Sequence, residues 1–213
     1  MKTIQLLKTT DYWTQLKNLD TPIYECQVTS GANYLNAGGI YPYTGKYRLP
    51  DVIDDMAMGA IAKSWAKAQN YDGPPRELHD ILSWAINVIA NEEIDEFSPN
   101  ATLQEIVFEI SQHRPVIVAG KFTGEGHVVC ATGLITQQED IESVTDVQQV
   151  RMDQIQSILI ADPYGDWHTK NPSTGKPYAP GSSGYECKFT IAELMDLLHN
   201  SGSEEKWVHR MKK

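Results

Sequence analysis

Three residues of this chain carry side chains that together can break an amide bond. Cys26 lies in "IYECQVTSGANYLNAGG", residues 23–39, His127 in "GEGHVVCATG", residues 124–133, and Asp162 in "SILIADPYGDW", residues 157–167. A thiol is a weak nucleophile until it ionises, and the start of a helix favours the thiolate through its unpaired N–H groups and its dipole. The same N–H groups can hold the oxyanion of a tetrahedral intermediate. His127, at the mouth of an apolar strand, is placed to act as an oriented base. Asp162, at the end of another strand, can fix the imidazole tautomer and orientation. Each residue also has an ordinary reading. Cys26 can be a small core residue, His127 a strand-edge hydrogen-bonding group, and Asp162-Pro163 a turn starter.

These residues need elements that bring them together. The apolar positions Val28, Ala32, Leu35 and Tyr34 predict a helix over 26–37 that stops at Gly38-Gly39, with Pro22 keeping the approach extended. Asp51 caps a predicted helix through 52–69, and "RELHDILSWAINVIA", residues 76–90, is a further amphipathic helix or pair of short ones. Thr102 and Glu105 form a capping box before "LQEIVFEISQ". The character then changes to β-branched apolar runs at 114–121, 126–135 and 157–163. The polar insertion at 136–156 reads as a long hairpin or a short helix. A Gly/Pro/Ser-rich loop at 164–184 leads to the strand-like "YECKF" and to a last helix capped by Thr190 with Glu193. Residues 1–22 read as irregular. With no repeat and no long linker, the expectation is a single domain over 1–213 of class α+β, with N-terminal helices and an antiparallel β-sheet.

Composition narrows the function. A formal charge of −10, from 28 acidic and 18 basic residues, opposes a nucleic-acid partner, which needs clustered Lys and Arg. The one basic cluster, "KWVHRMKK" at 206–213, reads as a solvated terminus. No apolar run is long enough for a membrane span, so membrane insertion is not expected. The start lacks a secretory signal, which gives a cytoplasmic expectation, with later release or phage association by another route. Three cysteines without CxxC doublets suggest neither a disulfide scaffold nor a zinc site, and no cofactor is expected. In "HVVC" the pleat sends His127 and Cys130 to opposite faces, so Cys130 reads as core. His79 and His168 read as surface residues.

In their order, "TQLKN…ECQVTS", "GEGHVVCATG" and "ILIADPYGDW" resemble the papain-like cysteine peptidases of the bacteriocin-processing, double-glycine-leader type, especially their stand-alone bacterial and phage forms. The resemblance implies a papain-like fold with the nucleophile helix packed on the sheet. It implies Cys26 as nucleophile, His127 as base and then acid, Asp162 as the orienting acid, and Gln15, eleven residues before the cysteine, as an oxyanion donor. Gln27 would contribute only its backbone N–H. The implied activity is hydrolysis of a peptide or isopeptide bond through a thioester, with a peptide, protein or peptidoglycan peptide as substrate. Two other functions use the same residues: an acyltransferase with an amine acceptor, and a non-catalytic binding or inhibitory protein. The transporter module to which processing peptidases are usually fused has no counterpart in this sequence.

Overall fold

Short apolar runs bounded by glycine, proline and polar turns form the middle of a sheet, because a strand buried on both faces leaves no room for polar alternation. The computed structural model describes residues 1–17, 26–40, 79–124, 126–199 and 207–212. Strands β3 (Val116–Gly120), β4 (His127–Thr136) and β5 (Ile155–Ala161) lie side by side, and each is almost wholly buried. Around them are β1 (Lys2–Gln5), β2 (Asp95–Ser98), β6 (Cys187–Thr190) and β7 (Val208–Met211). The seven strands form one sheet in the order β2-β7-β3-β4-β5-β6, with β1 beside the far half of β4. Every pairing is antiparallel.

Helices cover both faces. On one side α1 (Cys26–Ala37) and α2 (His79–Ala90) pack Ala32, Leu35, Leu82 and Ile86 against Ile117, Val128 and Cys130. On the other side α3 (Leu103–Ser111) and α4 (Ile191–His199) bring Ile106, Ile110, Leu194 and Leu198 onto Val116, Val129, Ile158 and Phe189. The chain is thus α+β with an antiparallel sheet. The capping boxes at Thr102 with Glu105 and at Thr190 with Glu193 are both formed. Among the described residues no helix is long and apolar enough to cross a membrane.

Several expectations are corrected. Residues 2–5 are a strand, because β4 offers Gly133–Thr136 as an open edge. Of the two readings of 136–156 the long hairpin holds, since the segment joins β4 to β5 with Thr136 paired to Ile155. Its loop, however, carries three 3-10 turns, at Ile141–Ser143, Val147–Gln149 and Met152–Gln154, whose Ile141, Val144 and Val150 plug the core. The basic tail is not solvated: β7 fills the gap between β2 and β3 and buries Val208, His209 and Met211. The helix expected over 52–69, the approach through Pro22 and the first residues of the 76–90 helix lie outside the described residues.

A polar cluster holds the tail in place. The Nδ1–H of the fully buried His209 donates to Asp95 Oδ2 at 2.7 Å, and Ser83 Oγ donates to the same oxygen at 2.6 Å. His209 Nε2 is left to face His79 Nδ1 at 3.3 Å. His79 is therefore half-buried and not a surface residue: it stacks on Phe97 with centroids 3.9 Å apart and meets Trp207 edge-on. Burial first, and the neighbouring His209 second, push its pKa down to about 4 against an opposing pull from Asp80. The unfolded chain therefore takes up a proton near 6.5 that the folded chain refuses until about 4. In urea unfolding between those values, stability is expected to fall as pH falls, and His79→Phe, which keeps the stacking, is expected to flatten that slope.

Candidate active site

Cys26 is the first residue of α1, and all twelve residues of that helix are buried. The helix carries more than an apolar stripe because its polar side chains bond to backbone on either side. Ser30 Oγ donates to the Val128 carbonyl at 2.9 Å, Asn33 pairs with both backbone groups of Trp13, and Asn36 donates to the Asp11 carbonyl. The Ser30 bond fixes the helix against the start of β4, next to His127, and the two asparagines fix it against residues 11–13. The helix closes at Gly38-Gly39, with the Ile40 N–H on the Leu35 carbonyl.

His127 and Asp162 are brought together by strand register. Cys130 pairs with Ala161 across β4 and β5, so the start of β4 and the end of β5 lie at one end of the sheet. A slip by one residue would turn His127 to the opposite face. Gly126, at φ +87, turns the chain into β4 in a conformation that a residue with a Cβ rarely adopts. His127 Nε2–H donates to Asp162 Oδ1 at 2.8 Å, which leaves Nδ1 for the sulfur of Cys26, with which the imidazole is hydrogen-bonded.

The electrostatics follow from that contact. Burial alone would raise the Cys26 thiol, but the hydrogen bond and charge of His127, together with the Val128 backbone, outweigh it and lower its pKa. Burial opposes protonation of His127 as well. The charge and hydrogen bond of Asp162, then the thiolate, overcome it and raise the imidazole to about 10. Both shifts favour the thiolate–imidazolium form of the pair. Burial pushes the Cys130 thiol up, and it does the same to Cys187 with help from the Asp162 and Asp166 charges, so both stay protonated. Cys130 is a core residue, as its place in "HVVC" predicts.

Asp162 is wholly buried and held on all sides. Tyr164 N–H donates to Oδ1 at 2.9 Å and Tyr178 Oη donates to Oδ2 at 3.0 Å. Its own N–H reaches the Gly184 carbonyl at 2.9 Å, and Tyr12 Oη donates to its carbonyl at 2.6 Å. Gly184 has no alternative, since a Cβ there would run into the Asp162 carbonyl. Gln15 is fully buried, and its backbone N–H donates to the Pro163 carbonyl at 3.0 Å, so the chain returns it to the Asp162 corner despite its distance in sequence. Among the described residues, both polar atoms of the buried Gln27 amide lack a hydrogen-bond partner. Sequence reasoning takes Tyr178, with Tyr164, Trp167 and Tyr185, as a loop aromatic that could line a cleft, and passes over Tyr12 and Gly184. That all three serve Asp162 was not legible, because a tyrosine carries no local mark of its partner. His168 is exposed, between Asp166 and Glu193. Among the described residues no cluster of three or more His, Cys, Asp or Glu could hold a metal ion.

Two outcomes are expected. A thiol-directed electrophile at neutral pH should modify Cys26 well ahead of Cys130 and Cys187, and His127→Ala should slow that modification at least about tenfold, as the thiolate fraction falls. Stability should also respond to alkali. Between the ordinary histidine value of 6.5 and the ordinary thiol value of 9.0 the folded imidazole keeps a proton that the unfolded one loses, while the folded thiol gives one up earlier than the unfolded one, so the two contributions oppose each other. Above the thiol value only the folded state keeps a proton, and denaturation midpoints should fall as pH rises towards about 10, less steeply in His127→Asn.

No family model and no curated protein matches this chain.

Proposed function

We propose that the chain is a papain-like cysteine peptidase that hydrolyses a peptide or isopeptide bond through a thioester on Cys26. The observation that carries this reading is His127, hydrogen-bonded to a thiol at the start of a helix and, through Nε2, to a wholly buried carboxylate. A structural histidine needs neither a depressed thiol nor an orienting acid.

The steps follow from these groups. The Cys26 thiolate attacks the carbonyl carbon, and the electron pair of the π bond moves to oxygen. The backbone N–H of Cys26 and the Gln15 side chain receive that oxyanion. Collapse breaks the C–N bond as His127 passes its Nδ1 proton to the leaving nitrogen, giving a thioester and a free amine. Water then attacks the thioester, with His127 taking its proton. The carboxylic acid leaves and the imidazolium-thiolate pair is restored. Asp162 holds the ring throughout and stabilises its charged form. The stand-alone bacterial and phage peptidases that the sequence resembles point to a peptide or peptidoglycan cross-link as substrate.

Incubation with cross-linked cell-wall peptides and with a denatured protein mixture, read by mass spectrometry, tests this. Wild type is expected to give new amine and carboxylate termini, and Cys26→Ala none. Gln15→Ala is expected to lower kcat about 10²–10³-fold, the usual loss of one oxyanion donor. Product from the alanine variant, or from neither chain, would remove the peptidase reading.

A further inference from the structure

We propose that Tyr178 is a positioning residue of the Cys26, His127 and Asp162 set, its hydroxyl fixing the Asp162 carboxylate and tempering the charge that this carboxylate places on His127. The proposal rests on the reading of that set as catalytic and gives a role to the 164–184 loop, which the family resemblance leaves unexplained.

The two oxygens of Asp162 are used differently. Oδ1 accepts from His127 Nε2–H and from the Tyr164 N–H, at 2.8 and 2.9 Å. Among the described residues, Oδ2 accepts from Tyr178 alone, at 3.0 Å. A carboxylate with one oxygen unanswered would turn about its Cβ–Cγ axis or draw more strongly on the imidazolium. The Tyr178 hydroxyl prevents both. It is also a dependable donor, since burial and then the charge of Asp162 push its own ionisation far above any working pH.

The loop is built to deliver this hydroxyl. Tyr178 sits at φ +68, a backbone conformation that a large side chain keeps only where its surroundings over-determine it. Cross-bonds from Asn171 N–H to the Lys176 carbonyl and from Ala179 N–H to the Thr169 carbonyl, both 2.8 Å, close the segment on itself. Ser182 Oγ, which donates to the Ala179 carbonyl and accepts from the Asp166 N–H, ties it back to the strand end. The ring then stands edge-on to His127 at 6.1 Å and to Tyr164 at 5.1 Å, walling the imidazole off from water. A tyrosine present only for packing has no need to aim its hydroxyl at a triad acid from a left-handed backbone.

Tyr178→Phe removes the hydroxyl and keeps the ring. The His127 titration is followed by NMR in the full chain, with His127→Asn for assignment. Tyr185→Phe serves as control, since it removes a hydroxyl that donates to the Leu7 carbonyl. In Tyr178→Phe the His127 midpoint is expected to rise by about half to one pH unit, because an undamped carboxylate favours the imidazolium. If hydrolysis is present, kcat should fall about three- to tenfold with KM held within about twofold, because a more basic imidazole is a poorer proton donor. Tyr185→Phe should leave both unchanged, and a cooperative melt of each variant shows that the titration is read in a folded chain. A His127 midpoint unchanged or lowered in a folded Tyr178→Phe chain overturns the proposal, whatever the hydrolysis assay gives. A raised midpoint in a chain that hydrolyses nothing supports the positioning role and removes the peptidase reading instead.

Discussion

An ionised carboxylate with no exposure to water is tolerable only where donors replace the solvent it has lost, and removing one partner from such a buried pair costs about 3–5 kcal/mol. Asp162 is in that position, and meeting its requirement organises much of the molecule. His127 from the start of β4, the Tyr164 N–H from the turn after β5 and Tyr178 from the long loop donate to the carboxylate, while Tyr12, from the segment before α1, donates to the main-chain carbonyl of the same residue. His127 and Tyr12 are far from Asp162 in sequence, and His127 meets it because β4 and β5 are neighbours in a fixed register. Gly184 belongs to the same constraint, since only a residue without a Cβ lets the approach to β6 pass the Asp162 carbonyl.

The charge of Asp162 passes through His127 to the sulfur. Raised to about 10, the imidazole keeps its proton at neutral pH, and that proton is what lets a buried thiol ionise against the cost of desolvation. The start of α1 contributes to the same end, and its polar face explains how a twelve-residue helix can be buried all round. Ser30, Asn33 and Asn36 give their hydrogen bonds to backbone groups of β4 and of residues 11–13, so no polar atom among them is stranded. The rigidity that fixes Cys26 against His127 comes from these bonds as much as from apolar packing.

A second buried acid, Asp95, plays a comparable part at the opposite edge of the sheet. His209, Ser83 and Tyr34 supply its donors, and through them β7, α2 and α1 are tied together. This is why a tail rich in Lys and Arg lies inside the fold: the charged ends of Arg210 and Lys212 reach Glu96 and Glu93, while Val208, His209 and Met211 point inward. Met211 in turn packs where a side chain at Gly38 would sit, so the end of the chain seals the end of the cysteine helix.

Features whose partners lie within a few residues were legible in the sequence. The capping boxes of Thr102 and Thr190, the glycine stop of α1, the three central strands and the α+β class all follow from local propensity and period. The residue types and order of Cys26, His127 and Asp162 marked them as candidates for a nucleophile, a base and an orienting acid. β1, β2 and β7 were not legible, since four-residue strands at sheet edges carry little pattern of their own and exist because a neighbouring edge needs partners. The donor to Oδ2 was hidden for a similar reason: Tyr178 reads as loop until the fold brings it to the carboxylate. By itself the sequence determined which side chains could do chemistry and which local elements would carry them, because those depend on short-range sterics and hydrogen bonding. Tertiary structure alone decided that Cys26, His127 and Asp162 share one corner and that tyrosines enclose it, because register and burial are set by contacts across more than a hundred residues of chain, as from Tyr12 to Asp162.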